Sequence, residues 1–270
     1  MLGAITGDIV GSIYEFDNIK NKDFEFFDRE CFFTDDTVMS VAVGEALLDM
    51  RPTDKEDEIE AKLVTSMKKW GREYPYAGYG GSFCSWLRSD NTSPYNSYGN
   101  GSAMRVASAG WLYEDMFTTR YMARLTSEVT HNHIEGIKGA EATAAAIFLA
   151  RNGASKQEIR EYIEKEFSYN LNFTCDEIRP TYYFNETCMD TVPQAIVAFL
   201  DGESFEDVIR TGVSIGGDTD TLCAIAGSIA EAYYGIPEDI GETAKSFLTV
   251  DLLEIVEKFY KAIAKKETCI

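Results

Sequence analysis

The chain has 270 residues, with 45 acidic against 25 basic side chains and a formal charge of −20. Hydrophobic residues make up 45% and aromatics 13%, which excludes intrinsic disorder and suits one large domain spanning 1–270. Such an acidic chain repels nucleic-acid backbones and anionic lipid; Lys68-Lys69 with Arg72, and Lys265-Lys266, form no basic patch because Glu73 and Glu267 stand beside them.

At the N-terminus, residues 1–8 lack a basic leader, and Asp8 falls where a signal peptide would be apolar. No stretch approaches the run needed to cross a bilayer, so no membrane association is expected. Cysteines are scattered at 31, 84, 175, 188, 223 and 269 without a Cys-x-x-Cys pair, so a reduced, cytoplasmic setting is the economical reading. His131 and His133 are the only histidines, too few for an imidazole-rich metal site.

Gly3, Gly7, Gly11 and Glu15 recur every four residues, so on a helix they form one slowly drifting stripe. Glycine costs a helix about 1 kcal/mol, and close approach of another backbone offsets that cost. Asp8 lies on nearly the same face. The plain reading is a tightly packed core helix with Glu15 at its solvent end.

Beyond it, helical periodicity dominates and alternating strand patterns are scarce. The spacing predicts helices over 38–50, 56–72, 103–114, 118–130, 136–152, 155–167, 191–200, 204–214, 220–234 and 241–265. Ser155 with Glu158 reads as a capping box, Asn152-Gly153 closes the preceding helix, and Ile236-Pro237 stops another. No linker or low-complexity tract divides the chain, so one all-α domain is expected. Two irregular stretches, 73–101 and 168–190, are long for loops of a compact domain, and such loops are often functional.

Two runs resemble each other across most of the chain: Phe33-Thr34-Asp35-Asp36-Thr37 and Gly216-Gly217-Asp218-Thr219-Asp220-Thr221. Each precedes an apolar helical segment, and helix capping accounts for one or two of its oxygens. Each run nevertheless supplies two carboxylates and two hydroxyls. Within a regular helix Asp218 and Asp220 would point about 200° apart, so convergence requires Asp218 to sit in the turn that Gly216-Gly217 makes sterically easy. If the runs met, four carboxylates would repel unless cations lay between them, and hard oxygen donors select Mg²⁺, Ca²⁺ or Mn²⁺ over zinc or copper. Cys31 and Cys223, one thiol near each run, are a poor zinc set and read as small core residues. The EF-hand spacing is absent. The sequence by itself does not bring the two runs together.

The combination Gly3-Ala-x-x-Gly-Asp8-x-x-Gly11-x-x-x-Glu15, Thr34-Asp-Asp-Thr37, Gly99-Asn-Gly-Ser-Ala-Met-Arg105 and Gly216-Gly-Asp-Thr-Asp-Thr221 resembles the ADP-ribosylglycohydrolase family, which includes the dinitrogenase reductase-activating glycohydrolases. The motifs occur in family order and span nearly the whole chain. The resemblance implies a compact, single-domain orthogonal helical bundle with a binuclear magnesium centre, in which Mn²⁺ can substitute. It places Thr34, Asp35 and Asp36 on one side of two ions and Asp218, Asp220 and Thr221 on the other. It puts Glu15 on a mobile flap at the metal site. It gives Ser97, Tyr98, Gly99, Asn100, Gly101 and Ser102 to the loop that holds the diphosphate and ribose, and His131 to a position near the adenosine.

A −20 protein can receive a diphosphate on the backbone N–H groups of Gly99 to Ser102 where they open a helix, although an ordinary glycine-rich turn is an equal reading. Tyr74, Tyr76, Tyr79, Tyr95 and Tyr98 are candidates for adenine stacking or for anchoring their loop. Arg105 reads as an internal brace.

The expected activity is hydrolysis of the C1″ bond between ADP-ribose and an acceptor, on an ADP-ribosylated protein or a small-molecule conjugate. Arginine-linked ADP-ribose is favoured, with serine-type O-linkage the other option. Glu15 is the candidate for acid/base or positioning work, and Asp35 or Asp220 for activating water. The alternative is a non-catalytic ADP-ribose binder or a crystallin-like structural relative, against which the retained, mutually repelling carboxylates argue.

Overall fold

The computed structural model describes residues 1–267, so Cys269 lies outside the described residues. In chain order the helices are α1 Leu2–Gly11, a 3₁₀ turn Ser12–Tyr14, α2 Asp35–Leu48, α3 Glu56–Glu73, α4 Gly81–Arg88, α5 Gly101–Met104, α6 Ala107–Leu112 and α7 Met116–Glu128. There follow α8 Ile134–Arg151, α9 Lys156–Phe167, α10 Cys175–Ile178, α11 Cys188–Asp201, α12 Phe205–Ile215, α13 Thr219–Tyr234, α14 Glu238–Ser246 and α15 Val250–Glu267. No strand occurs among the described residues, whose one bridge pairs Gly99 with Thr187. The fold is all-α, as expected. No described helix is long and apolar enough to cross a membrane.

The centre of the fold is α13, buried along nearly its whole length and packed against α1, α8, α11 and α12. The glycine stripe makes the first of these contacts. A Cβ on Gly3, Gly7 or Gly11 would lie 2.3, 2.0 and 2.5 Å from the backbone oxygens of Gly227, Cys223 and Thr219. Real side chains never approach so closely, so α1 can reach α13 only without Cβ atoms on this face. Thr219 completes the seam by donating its hydroxyl to the Gly11 carbonyl at 2.8 Å.

Several predicted ends are observed. Ser155 and Glu158 form the expected capping box, and Gly153 has φ +82° after α8. Three predicted elements differ. The 103–114 helix is broken, because Arg105 leaves α5 to bury its guanidinium, donating to the Thr126 carbonyl and the Thr130 hydroxyl, and α6 restarts at Ala107. The 241–265 helix is two, interrupted over 247–249, where Phe247 stacks on Phe27. The 191–200 helix begins earlier, at Cys188, whose N–H is held by the Tyr98 carbonyl. Within the irregular stretches, 73–101 contains α4 and 168–190 contains α10. Lys68 stabilises the first by donating to the carbonyls of Trp86, Ser89 and Asn91 just beyond α4.

Candidate active site

The two acid runs meet. Thr34 is the N-cap of α2, with Asp35 and Asp36 in its first turn, and Asp218 is the N-cap of α13, with Asp220 and Thr221 behind it. Thr221 donates its hydroxyl to Asp36 at 3.2 Å, which joins residues 185 positions apart. The turn that makes this convergence has Gly216 at φ +73° and Gly217 at +84°, and a Cβ on Gly217 would strike the Tyr182 ring at 2.4 Å.

Capping accounts for little of this chemistry. The Thr34 hydroxyl accepts from the Asp36 N–H at 3.3 Å, but the Asp218 carboxylate makes no capping bond. It accepts instead from the Asn100 side-chain amide at 2.7 Å. Oδ1 of Asp36 and Oδ1 of Asp220 are buried with no hydrogen-bond partner. Two orphaned carboxylate oxygens in one buried cluster need either protons or cations, since an isolated charge there costs several kcal/mol. Carboxylate oxygens of Glu15, Asp218 and Asp220 also lie within 4.8 Å of one another. This oxygen-only, acidic donor set fits a hard divalent cation.

The electrostatics agree. Burial first, then the neighbouring carboxylates headed by Asp220, raise Asp35 and Asp36 well above the usual range. Burial and the Asp218 charge do the same to Asp220. Asp218 rises only to about 6, since bonds to Asp220 and Asn100 oppose its burial. Glu15 rises to about 8 through burial, then through Asp220, Glu186 and Asp8. In every case the metal-free cluster attracts positive charge, as protons or as a metal.

Asp8 is the residue whose role the sequence did not disclose. It is buried on α1 and accepts from the Thr34 N–H (2.9 Å) and hydroxyl (2.7 Å), and from the Thr37 N–H (3.0 Å) and hydroxyl (2.5 Å). It therefore clamps the start of α2 and fixes Asp35 and Asp36 relative to α1. Its own carboxyl sits at about 6, because burial outweighs those four bonds.

Glu15 follows the 3₁₀ turn, beyond the regular part of α1, and is half-buried. Asn18 holds it there: its side-chain amide donates to the Glu15 carbonyl at 3.0 Å and exchanges bonds with both backbone groups of Gly217, at 2.7 and 3.0 Å. The Glu15 segment is thereby tied to the turn that presents Asp218.

The acids floor a cavity of about 440 Å³, within the roughly 300–1,000 Å³ common for small-molecule sites. The Gly99 loop forms another wall. Ser97, Gly99, Asn100, Gly101 and His131 line it, whereas Tyr98 faces an adjoining recess and Ser102 is turned inward, donating to the Gly136 carbonyl at 2.8 Å. The loop departs from the sequence expectation in one respect. The Gly99 N–H is taken by the Ser97 hydroxyl and the Asn100 N–H by the Glu186 carbonyl, which leaves Gly101 as the lining residue whose amide faces a ligand without such a partner. Of the candidate tyrosines, Tyr79 is core, and Tyr74 is bonded to Thr249 and Asp251; Tyr76, Tyr95 and Tyr98 border the cavities.

His131 is buried at 2.8 Å from the Thr130 hydroxyl through Nδ1. Arg105 also donates to that hydroxyl, so the imidazole and the guanidinium share the Thr130 oxygen. Burial, then Arg105, holds the imidazole well below its usual pKa, so it is neutral. Nε2 lies beside Gly99 and Gly101, where it offers an uncharged polar atom. Arg105 is the internal brace that the sequence suggested.

The family model for ADP-ribosylglycohydrolase matches residues 1–269. The chain is 26% identical to the ADP-ribosylhydrolase ARH3 of Homo sapiens over 94% of its own length and 90% of that protein's. It is 26% identical to the ADP-ribosylarginine hydrolase Tri1 of Pseudomonas putida, over 87% of this chain and 70% of the relative. A solved structure described as an ADP-ribosylglycohydrolase-related protein complex superposes with a TM-score of 0.72 over 97% of both chains, at 22% identity, and supports the fold.

Proposed function

Because the chain belongs to the ADP-ribosylglycohydrolase family, a family of glycosidic-bond hydrolases that remove ADP-ribose, we propose that it is a magnesium-dependent member acting on arginine-linked ADP-ribose. The observation that carries this reading is the convergence of two helix N-termini whose buried carboxylates keep unpartnered oxygens. Thr34, Asp35 and Asp36 from α2, with Asp218, Asp220 and Thr221 from α13, would hold two Mg²⁺ ions, or Mn²⁺ in their place. Bound there, the ions would neutralise the four aspartates and supply Lewis acidity toward ribose hydroxyls and water.

The chain's own residues do the rest. The Gly101 amide and the neutral His131 ring receive the anionic and polar parts of the nucleotide without an exposed cationic side chain. Asn100, held by Asp218 and Thr191, links that wall to the acid floor. In the reaction the bond from C1″ to the acceptor breaks, a water oxygen replaces it, and the acceptor leaves with a proton. Glu15, at the edge of the acid cluster and able to carry a proton near neutral pH, is placed to give it. An adjacent carboxylate, Asp35 or Asp220, takes the proton of the attacking water and stabilises oxocarbenium-like charge.

The arginine linkage rests on the kinship with Tri1, whose name specifies arginine, while that of ARH3 specifies no acceptor and leaves serine-type O-linkage as the competing reading. The five described cysteines are all unpaired, which supports a reducing, cytoplasmic setting. The deciding experiment incubates the protein with arginine-modified and serine-modified ADP-ribosyl proteins side by side, with Mg²⁺ or with chelator. Release of ADP-ribose from the arginine conjugate, abolished by chelator, is expected. Chelator-resistant release overturns the metal dependence, and release from serine alone overturns the linkage.

A further inference from the structure

The mouth of the cavity carries its most exposed aromatic rings on one side. Phe16 is 84% exposed, Phe32 53% and Tyr76 98%, and all three border the cavity. Solvated rings gathered at one opening are unusual on a surface with no partner. Their positions in the chain show which end of the cavity they guard. Phe16 follows Glu15. Phe32 lies just before Thr34 and donates its N–H to Ser12. Tyr76 precedes Ala77, whose carbonyl accepts from the Asp35 N–H at 2.7 Å. The three rings thus stand over the acid end, where the glycosidic bond would break, whereas the Gly99 loop lies at the other wall. Whatever is attached to C1″ must leave the cavity past them.

The charges at this opening have one sign. The charged or titratable acids lining the cavity are Glu15, Glu186 and the four aspartates, against the buried imidazole of His131 and the guanidinium of Arg105, which is buried below the opening and donates to Thr126 and Thr130. Of the cations on the loop between Phe16 and Phe32, Lys20 donates to the carbonyls of Tyr182 and Ile215, Lys22 pairs with Asp207, and Arg29 stands between Asp28 and Glu30 in the chain. With two divalent ions cancelling the four aspartates and Glu15 holding its proton, Glu186 still leaves a carboxylate at the opening. Phe16 stacks on Phe184 at 5.8 Å, in the segment that carries Glu186, so an aromatic face and a carboxylate sit together. A lysine or arginine side chain is complementary to that pairing through cation–π and charge contacts.

On the premise that the cavity takes ADP-ribose conjugates, we propose that Phe16, Phe32 and Tyr76 form a docking rim for a polypeptide acceptor, and that this polypeptide is cationic around its modified residue. A free ADP-ribosyl amino acid would fill the cavity without reaching the outer faces of these rings. A basic segment would cover them.

The test compares three substrates with one linkage: the free ADP-ribosyl amino acid, a short peptide with lysine and arginine flanking the modified residue, and the same peptide with glutamate flanks. For the native protein kcat/KM should favour the basic peptide over the acidic one by about tenfold or more at low salt, and the advantage should shrink as NaCl screens the charges. In the Phe32→Ala/Tyr76→Ala double variant, the ratio of basic peptide to free conjugate should fall about tenfold, with the melting temperature unchanged. Equal turnover of all three compounds overturns the proposal. So does a variant that slows all three in proportion, or a native self-association that the variant abolishes, which would assign the rim to a second copy. If none of the three is turned over, the hydrolase reading fails, and calorimetric binding of the same compounds still decides the docking rim by the same ratios.

Discussion

The acid floor and the aromatic mouth share one cavity but are built in opposite ways. The floor stands on the first turns of α2 and α13, locked by a glycine seam, by four bonds to Asp8 and by a turn with two left-handed glycines. Its side chains are mostly buried, and its backbone has no freedom to adapt. The mouth stands on the loops around residues 16, 32 and 76, and its rings touch mainly water. Charges that must sit within a few ångströms of each other need rigid support, whereas a surface that meets a variable partner does not. The common chemistry thus belongs to the helix ends, and recognition of the acceptor belongs to the loops.

That contrast can be broken at the floor first. Asp36→Asn or Asp220→Asn should lower turnover by on the order of 10³-fold, about 4 kcal/mol of barrier. The same changes should raise the melting temperature of the metal-free protein, since each removes an ionisable carboxylate from a repelling buried cluster, and should abolish any stabilisation by added Mg²⁺. A melting temperature that falls in metal-free buffer would contradict this account of the cluster. Glu15→Gln should cost about 10²-fold or more in kcat with the fold intact, checked by single-turnover assay and circular dichroism.

Next in size is the seam. Gly7→Ala puts a methyl 2.0 Å from the Cys223 carbonyl oxygen, and the overpacking should cost roughly 1–3 kcal/mol in chemical denaturation. Because α1 carries Asp8 and α13 carries Asp220, metal affinity should fall with it.

The smallest effect is the most diagnostic of the electrostatics. Folding raises Glu15 from 4.5 to about 8, and Asp8 and Asp218 from 3.8 to about 6. The folded metal-free protein therefore holds these protons more tightly than the unfolded chain does. The stability they contribute is full below about pH 4 and is lost as pH rises through about 6 and then about 8. Melting in chelator should drop by a few degrees from pH 5.5 to pH 8.5, and Mg²⁺ should recover it at pH 8.5 while doing little at pH 5.5, where protons occupy the ligands. A metal-induced shift that is equal at both pH values would show that the cluster does not titrate on binding.

Much of the floor was legible because its constraints are local. The four-residue glycine spacing, the paired Thr-Asp runs and the Gly-Gly turn each leave a pattern within a few residues, and their surplus oxygens already exceeded what a helix cap uses. What joins them was not local. Asp8 looks like one polar residue in an apolar helix until Thr34 and Thr37 are placed against it, and Asn18 carries no signal at all until Gly217 lies opposite. Glu186 sits in an irregular stretch where no periodicity points to it. The break at Arg105 escaped periodicity for a similar reason, since the apolar pattern runs through it and only the distant Thr126 and Thr130 account for the turn.

The seam between α1 and α13 also bears on how the protein is made. Gly11 and Thr219 meet across 208 positions, so α1 waits for more than 200 further residues to be made before its partner exists. Contacts of such sequence separation form late and slow the folding of a domain. Neither acid run alone forms the four-aspartate cluster, so the nascent chain carries only half of the candidate metal site. The catalytic centre comes into being in one event, when the glycine face of α1 closes on α13.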